Sequence, residues 1–435
     1  MRSAMLDVIF RPESTLQKNK LFYGWVLVFV SILVQAFSFG LGSYAFSVFA
    51  ASYEKEFDVG RGLLMLCMTG FLLSVGFMSP KIGSLMDSLS IRRIMLIGSV
   101  LMATGYILLS YATNMWLVIL LYTVLIACGG VTLGPLCTST LLTRWFESKR
   151  GLAFGIATLG TQFGGLFFPP LTAWMIDILE WRLTLRYIGM FAIVFLPLLI
   201  FLSVVNHPAD RGLMPDGEDG VRAPEGLATN ENKSEEIFSS QKILQSRNFW
   251  LVVIVVSTSI AVSTIVLSNL ALLGMGRGMD IGAASLLISL SALMGFISSP
   301  LFGRLADMFD VRWGLVGMLV MNIAGLLAYI ASDSNLSLIV LTVLVGLAAG
   351  GCVPLWGVLV SRLFSIVNFG RIMGLMSPFV YLVIAFSPAF AGAMYDATSS
   401  YRVLFILVAI VLLLVMMTLP FIAKKTQVHS ASAMR

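Results

Sequence analysis

Charged residues are scarce in this chain. Asp, Glu, Lys and Arg make up only 11% of its 435 residues, while 58% are hydrophobic. A soluble domain carries about 25% charged residues, so a large soluble core is excluded. The apolar residues come in runs of about 20 or more, long enough for an α-helix to cross a ~30 Å hydrocarbon layer. The composition therefore predicts an all-α integral membrane protein with many spans.

Cysteine and histidine are scarce too. The four cysteines lie inside apolar segments, the two histidines lie in polar stretches, and no Cys-x2-Cys motif is present. A metal site needs several such ligands close together, and a disulfide framework needs paired cysteines. Convergent nucleophiles, carboxylates or His/Cys ligands are also missing at any one depth. The sequence therefore predicts no metal, no cofactor and no enzymatic activity.

Two further classes are excluded by missing patterns. No Gly-x4-Gly-Lys-Ser/Thr phosphate loop occurs, so ATP-driven transport is not predicted. The net charge of +6 does not come from one basic cluster, because Lys and Arg residues lie at the ends of apolar runs. That placement is typical of residues that set membrane topology, and it argues against a nucleic-acid partner.

Ionisable residues are absent from the middle of the predicted spans. None of the 22 carboxylates and none of the Lys, Arg or His residues lies at mid-depth. Such a residue is the usual mark of an ion pathway or a proton relay within a membrane. Any solute-binding cavity among the spans is therefore expected to be uncharged, which favours a neutral or weakly acidic, partly apolar solute.

A polar turn that occurs twice is the most informative feature present. The first copy reads Gly83-x3-Asp87-x2-Ser90-x-Arg92-Arg93. The second copy lies in the second half of the chain and reads Gly303-x3-Asp307-x2-Asp310-x-Arg312. A Ser-Pro pair precedes both copies at the same spacing, Ser79-Pro80 in the first and Ser299-Pro300 in the second. A charged turn repeated in so apolar a chain predicts two parallel pseudo-repeats, an arrangement found in secondary transporters.

Twelve transmembrane helices in two six-helix halves are predicted from the apolar runs. The spans of the first half are 22–50, 62–80, 94–111, 116–142, 151–176 and 184–205. Those of the second half are 249–273, 282–302, 313–331, 337–361, 372–394 and 403–422. The predicted domains are an N-terminal tail 1–21, an N-terminal bundle 22–205, a linker 206–248, a C-terminal bundle 249–422 and a C-terminal tail 423–435.

The distribution of basic residues predicts the orientation of these spans. With the N-terminus in the cytoplasm, only six of the 28 Lys and Arg residues fall on the outer side. They are Lys55, Arg61, Arg182, Arg186, Arg277 and Arg402. Because cytoplasmic loops carry an excess of Lys and Arg, both termini are expected to be cytoplasmic. The protein is expected to reside in the lipid bilayer of a cell membrane, as a multi-pass protein of the bacterial inner membrane.

The repeated turn resembles the signature loop of the major facilitator superfamily, Gly-x3-Asp-x2-Gly-x-Arg-Arg, with Ser90 in place of the second glycine. Other stretches resemble bacterial relatives of the monocarboxylate and oxalate/formate transporters. They are Tyr23-Gly24-Trp25, Ser47-Val48-Phe49, Arg144-Trp145-Phe146, Arg150-Gly151-Leu152-Ala153 and Phe168-Pro169-Pro170-Leu171. The resemblance implies the major facilitator fold, a small-molecule substrate moved by alternating access, and a monomer.

The resemblance also implies a role for the charged residues of the turn. Asp87 and Asp307 lie at helix ends, where a carboxylate interacts with a helix N-terminus or a basic partner. Arg150 and Arg371, at the starts of the fifth and eleventh spans, are the expected partners. Such pairs would hold the halves together on the cytoplasmic side in the outward-open state. The alternative is that these charges only keep the loops in the cytoplasm.

The chain departs from the monocarboxylate transporters at the positions that bind the anion. Those proteins usually carry an arginine in the eighth span, an acidic residue one turn before it, and a lysine in the first span. Here Gly295 and Ser299 stand at the eighth-span positions, and no lysine lies around 40–45. Transport of a carboxylate and its coupling to protons are therefore left open.

Neutral polar residues near the middle of the spans are the candidates for lining the substrate cavity. They are Gln35, Gln162, Trp356, Tyr381 and Thr264. An amide in hydrocarbon needs a partner or water, and an aromatic side chain can pack against or hydrogen-bond an organic ligand. The alternative for each residue is a hydrogen bond between helices.

The predicted function is secondary active or facilitative transport of a small organic solute. An efflux antiporter for hydrophobic compounds is an alternative, because Gly160-Thr161-x2-Gly164-Gly165 resembles the antiporter motif of drug exporters, with Thr161 in place of its proline. Helix packing through small residues also explains this stretch. A sensor that uses the same fold without net flux is a further alternative.

Overall fold

The spans that the sequence predicts are present as helices. The computed structural model describes residues 22–147, 149–217, 240–364 and 369–421, so the predicted tails and part of the predicted linker lie outside the described residues. Within the described residues, eleven helices are long and apolar enough to cross a membrane. One of them, Leu152–Ser203, has 52 residues and would be roughly 78 Å long at 1.5 Å per residue, which is enough for two spans. The count of twelve spans is thereby confirmed.

We number the spanning helices α1 to α12 in chain order, and each overlaps its predicted span. The first half contains α1 Tyr23–Phe57, α2 Arg61–Ser88, α3 Ile91–Leu109, α4 Met115–Trp145, α5 150–179 and α6 181–203. The second half contains α7 Arg247–Met275, α8 Ile281–Met308, α9 Val311–Ala331, α10 Asn335–Phe364, α11 Phe369–Thr398 and α12 Tyr401–Thr418. Short helical turns between the halves are Pro208–Arg211, Pro215–Gly217 and Ser240–Gln245.

Glu180 separates α5 from α6. Its φ of 65° and ψ of 161° are not helical, and a positive φ is uncommon for a residue with a Cβ atom. The neighbouring Arg182 holds this turn in place. Its guanidinium donates to Oε1 of Glu56 at 3.0 Å and to the carbonyls of Ser110 and Ala112 at 3.1 and 2.9 Å. The turn is therefore tied to the ends of α1 and α3.

Polar residues precede many of the helices and cap them. The side chains of five such residues each accept a hydrogen bond from a backbone N–H in the first turn that follows: Ser90, Asn114, Asp280, Asp310 and Ser400. These caps satisfy N–H groups that have no partner within the helix. Helix α2 differs, because Gly60 at its N-cap has no side chain to offer.

Two helices of the first half contain a π turn. In α1 it covers Gly40–Tyr44, and in α4 it covers Tyr122–Ile126. A π turn inserts one extra residue into a helix and frequently occurs at functional sites. The one in α1 ends at Tyr44, whose side chain contacts the middle of α5.

Each half has an apolar core of its own. The buried residues of one hydrophobic cluster come almost entirely from α1 to α6, and those of the other come from α7 to α12. The members that come from the opposite half are Leu272 in the first cluster and Val48 and Ala173 in the second, and Ile243 joins the second cluster from the short helix Ser240–Gln245. This division confirms the two six-helix halves, and the three members from the opposite half mark places where the halves touch.

The halves are in contact at one end of the bundle. They meet along α2 with α11, α5 with α8 and α1 with α7. Asp396 at the end of α11 accepts hydrogen bonds from the backbone N–H groups of Arg61 and Gly62 at the start of α2. Ser47 in α1 accepts one from the backbone N–H of Ala271 in α7 at 3.0 Å. We call this the closed end.

At the opposite end the same helices have glycines without close neighbours. A Cβ atom added to Gly83, Gly155, Gly303 or Gly374 would meet no atom within 4 Å among the described residues. These glycines lie in α2, α5, α8 and α11, each a few residues from the end that is remote from the closed end. Among the described residues no hydrogen bond joins the halves near this end, which we call the open end.

Candidate functional site

Gln162 lies where α5 meets α8, near the middle of the bundle. Its Oε1 accepts a hydrogen bond from the hydroxyl of Tyr44 at 2.7 Å, within the first half. Its amide also reaches the second half, where Nε2 is 3.1 Å from the position that a Cβ on Gly295 would occupy. The side chain therefore packs closely against the glycine at position 295. Among the described residues Nε2 has no hydrogen-bond partner, so its N–H groups are free to bind a solute.

Tyr381 occupies the corresponding place where α11 meets α2. It is the repeat counterpart of Gln162, at the same offset in the sequence that relates Pro388 to Pro169. Its Cβ is 3.3 Å from the position that a Cβ on Gly76 would occupy, so here too a large side chain packs against a glycine of the opposite half. We call the contact of α5 with α8 and the contact of α2 with α11 the two seams between the halves. The structure therefore places Gln162 and Tyr381 in equivalent seams.

Thr264 does not reach across a seam. It lies in α7 and is the repeat counterpart of Tyr44, at the same offset that relates Gly303 to Gly83. Its hydroxyl donates to the carbonyl of Ile260 one turn earlier in the same helix, at 2.8 Å. Threonine is too short to make the contact that Tyr44 makes. The two seams therefore differ in their supporting side chains.

Gln35 and Trp356 are buried inside their own halves. Gln35 is 0% exposed, and its Nε2 donates to Oγ1 of Thr138 in α4 at 2.9 Å. Trp356 packs within the apolar core of the second half. Oε1 of Gln35 and Nε1 of Trp356 have no hydrogen-bond partner among the described residues. Both side chains keep an unused polar atom, but the contacts that the structure gives them are not in the seams.

The glycines of the antiporter-like stretch allow α5 to approach α1. A Cβ on Gly160 would be 2.5 Å from the carbonyl oxygen of Ile32, and one on Gly164 would be 2.3 Å from that of Ala36. Both distances are far below a van der Waals contact, so the backbones meet directly. Close packing of two helices accounts for these two glycines.

The contacts described for the arginines of the repeated turn lie within their own halves. The guanidinium of Arg92 donates to the carbonyl of Phe201 in α6 and lies 4.5 Å from the centre of that ring. The backbone N–H groups of Arg93 and Arg312 are bonded by the capping side chains of Ser90 and Asp310. The side chains of four further motif residues lie outside the described part of the structure: Asp87, Arg150, Asp307 and Arg371. Their pairing across the halves stays a prediction.

Two other arginines, which the sequence analysis does not single out for a role, cap the ends of α2 and α8. Arg144 in α4 donates to the carbonyl of Met86, and Arg362 in α10 donates to that of Ala306. Met86 and Ala306 occupy equivalent positions of the repeated turn, three residues after Gly83 and Gly303, so the repeat relates the two contacts. A cation at a helix C-terminus stabilises it. The signal in the sequence was the basic residue in the last turn of α4 and of α10.

A polar network at the closed end was also missed by sequence analysis. The guanidinium of Arg61 donates to Oε1 of Glu54 at 2.8 Å and to the hydroxyl of Tyr401 at 3.3 Å, and it lies 3.9 Å from the ring centre of Tyr395. The Tyr401 hydroxyl in turn donates to Oδ1 of Asn269 at 2.8 Å. The network joins α1 and α2 of the first half to α7, α11 and α12 of the second.

These features define a helical membrane protein of the two-bundle transporter class. Twelve spans form two halves that meet along matching helix pairs, with neutral polar side chains in the seams between them. The family model of the Major Facilitator Superfamily matches residues 32–296 and 261–433, and the chain therefore belongs to that superfamily. The protein is a transporter of this superfamily, as the resemblance implied.

Several known proteins are similar along most of the chain. The MFS-type transporter YcxA of Bacillus subtilis (strain 168) is 25% identical over 86% of this chain and 89% of its own length. Monocarboxylate transporter 3 of Gallus gallus is 23% identical over 88% of this chain and 75% of its own. The crystal structure of a bacterial homolog of the human lysosomal transporter Spinster, inward-facing and occupied, superposes with a TM-score of 0.70 at 14% identity. The match covers 93% of this chain and 97% of that one.

Proposed function

We propose that this protein is a secondary transporter that moves a small, neutral or weakly acidic organic solute by alternating access. The observation that carries the proposal is the position of Gln162, in a seam between halves that, among the described residues, are joined by hydrogen bonds at the closed end but not at the open end. A solute that enters from the open end meets the free N–H groups of this amide. Rocking of the halves about the seams would then expose the same groups to the opposite side.

The closed end is assigned to the extracellular side, and both termini to the cytoplasm. Arg61, Arg277 and Arg402 lie at the closed end, which holds few basic residues, whereas the turns at the open end carry most of the Lys and Arg. Because Lys and Arg accumulate on the cytoplasmic side, the open end faces the cytoplasm. The structure then corresponds to an inward-facing state of a monomeric transporter in a cell membrane.

The chemistry of the seams favours an uncharged solute. Gln162 offers hydrogen-bond donors without a positive charge, and Tyr381 offers a phenol and an aromatic surface in the other seam. A monocarboxylic acid binds to such groups more easily in its protonated form, because a bare carboxylate would lose its hydration without gaining a cation. The acid then carries its own proton across, so transport is proton-coupled without a titratable side chain. Similarity to a monocarboxylate transporter of Gallus gallus supports this choice.

The test is uptake into proteoliposomes after a pH jump. Radiolabelled acetate, lactate and benzoate would be compared with a neutral analogue, each with and without an inward proton gradient. Saturable uptake of an acid that rises with the gradient and falls at least several-fold in Gln162→Ala is expected. Thr161→Ala is the matched control, because among the described residues its hydroxyl bonds only to the carbonyl of Thr158 one turn away in α5.

Two results would contradict the proposal. Uptake of no acid and no neutral analogue by folded protein would direct the search to exported hydrophobic compounds. Equal loss of uptake in Gln162→Ala and Thr161→Ala would remove the seam amide from the solute site.

A further inference from the structure

We propose that Asp396 of α11 caps helix α2 of the other half, and that this contact, which we call the latch, keeps the closed end shut. We further propose that the two seams of the closed end are unequal, because Asp177, the repeat counterpart of Asp396, does not act in this way. The inference rests on the proposed alternating access only for its consequence in transport. The contact itself is a property of the two halves.

The carboxylate of Asp396 binds the first turn of α2 with both oxygens. Oδ1 accepts from the backbone N–H of Arg61 at 2.8 Å, and Oδ2 accepts from that of Gly62 at 2.7 Å. These N–H groups have no partner within their own helix, and a negative charge at a helix N-terminus is favourable. The residue at the N-cap, Gly60, supplies no side chain. The cap that α2 lacks therefore comes from α11.

The other seam is built differently. Asp280 is the repeat counterpart of Gly60, since both stand directly before the matching helices α2 and α8. Its own carboxylate caps α8 by accepting from the backbone N–H of Ala283 at 3.3 Å. Asp177 in α5 would have to cap α8 to act as Asp396 does. The carboxylate of Asp280 already lies beside the first turn of α8, so a second carboxylate from α5 would be repelled by its negative charge. Among the described residues, Asp177 has no hydrogen-bonding or ionic partner.

The seam around Asp396 is shaped to the carboxylate. A Cβ on Gly60 would be 2.6 Å from Oδ2 of Asp396, and one on Gly62 would be 3.1 Å away. On the opposite side, a Cβ on Gly392 would be 2.4 Å from the carbonyl oxygen of Arg61. Glycine at these positions lets the start of α2 and the end of α11 approach until the carboxylate reaches the backbone. A larger residue at position 392 would force the two helices apart, and one at position 60 would displace the carboxylate.

Arg61 supports the latch without forming an ion pair with Asp396. Its guanidinium points instead to Glu54 of the first half and to Tyr395 and Tyr401 of the second. The start of α2 is thereby fixed from both sides, by its backbone through Asp396 and by its side chain through the two tyrosines. When the halves part at this end, both hydrogen bonds of Asp396 must break and the first turn of α2 loses its cap.

The test measures distances between spin labels across the bundle by double electron–electron resonance, with the full chain in nanodiscs and no solute. One pair, Lys55→Cys with Met275→Cys, reports on the closed end, and Lys81→Cys with Leu301→Cys reports on the open end. All four positions are exposed, and the four native cysteines are buried. Protein without added cysteines controls for labelling of the native ones.

Asp396→Ala is expected to lower the ratio of closed to parted molecules at the closed end about fivefold, the usual effect of losing a helix cap. The distance at the open end should shorten in the same molecules. Asp177→Ala, the matched control, should leave both distributions as in the unaltered protein. Asp396→Asn keeps the shape and one acceptor oxygen, so a smaller shift in the same direction is expected.

Gly60→Asp extends the test, since it gives α2 the cap that α8 has in Asp280. Its carboxylate would collide with that of Asp396, so the closed end should open as in Asp396→Ala. The double variant Gly60→Asp, Asp396→Ala should open no further. Unchanged distances in Asp396→Ala and Asp396→Asn, or an equal shift in Asp177→Ala, would overturn the proposal. Because no solute is present, such a failure is distinct from a failure to find transport.

Discussion

Tyr44 and Gln162 are joined by a 2.7 Å hydrogen bond in which the phenol donates to the amide oxygen. The bond holds the amide against Gly295 of the other half, where Nε2 and Oε1 lie 3.1 and 3.2 Å from the position of a Cβ atom. Tyr44 is the last residue of the π turn of α1, so a local irregularity of one helix positions a side chain of another. The amide is therefore held in place before any solute arrives.

Removing this bond should weaken solute binding. In Tyr44→Phe the amide of Gln162 can rotate, and the loss of one neutral hydrogen bond of about 1 kcal/mol corresponds to roughly a fivefold rise in KM. Initial rates of uptake into proteoliposomes would measure it. Tyr122→Phe is the control, because the Tyr122 hydroxyl is buried without a hydrogen-bond partner among the described residues. An unchanged KM in Tyr44→Phe would show that the bond does not position the amide.

A side chain at Gly295 should block transport by wedging the α5–α8 seam. A Cβ there would already lie 3.1 Å from Nε2 of Gln162, so Gly295→Leu leaves no room for both side chains. Uptake should fall at least about tenfold while the protein still elutes as a single species in size-exclusion chromatography, because overpacking costs about 1–3 kcal/mol. Gly317→Leu is the control, since a Cβ at Gly317 in α9 meets no described atom within 4 Å. Equal rates for the two variants would contradict the seam contact.

Gly164→Val should destabilise the first half. A Cβ at this position would be 2.3 Å from the carbonyl oxygen of Ala36, and a backbone atom cannot move aside as a side chain can. The loss of stability should be about 1–3 kcal/mol or more. Thermal unfolding can be followed with a thiol-reactive dye, because the four native cysteines are buried and become reactive on unfolding. Gly155→Val, at a position with open space, should lower Tm much less.

Asn322→Leu should make the protein more stable. Asn322 is 0% exposed in α9, and neither atom of its amide group has a hydrogen-bond partner among the described residues. Replacing an unsatisfied buried amide by an apolar side chain of similar volume should gain about 1–3 kcal/mol. Asn269→Leu is the matched contrast, because that amide donates to Ile265 and accepts from Tyr401. It should lower Tm, and a lower Tm for both variants would show that Asn322 has a structural partner.

The repeat and the spans could be predicted because they depend on local pattern alone. A run of apolar residues must form a helix to cross hydrocarbon, since every backbone N–H and carbonyl must be paired there. The charged turns at 83–93 and 303–312 are also local patterns, and their similarity marks equivalent places in the two halves. Even the turn at Glu180 lies between two predicted spans, although two helices run into it without a gap.

The seam residues could not be separated from the core residues in this way. Gln35 and Gln162 look alike in the sequence, as single amides in apolar spans. One binds Thr138 within its half, and the other lies against Gly295 of the opposite half. The difference is the rotation of each helix about its own axis, which depends on packing with helices that are distant in the sequence.

The sequence by itself determined the membrane class, the twelve spans and the twofold repeat, because hydrophobic length and charge placement are local quantities. Only the tertiary structure decided which of two equivalent aspartates, Asp177 or Asp396, caps a helix of the other half. The repeat makes them equal in sequence. They differ because α8 carries its own cap in Asp280 while α2 has Gly60, and because the closing of the halves brings α11 against that uncapped end.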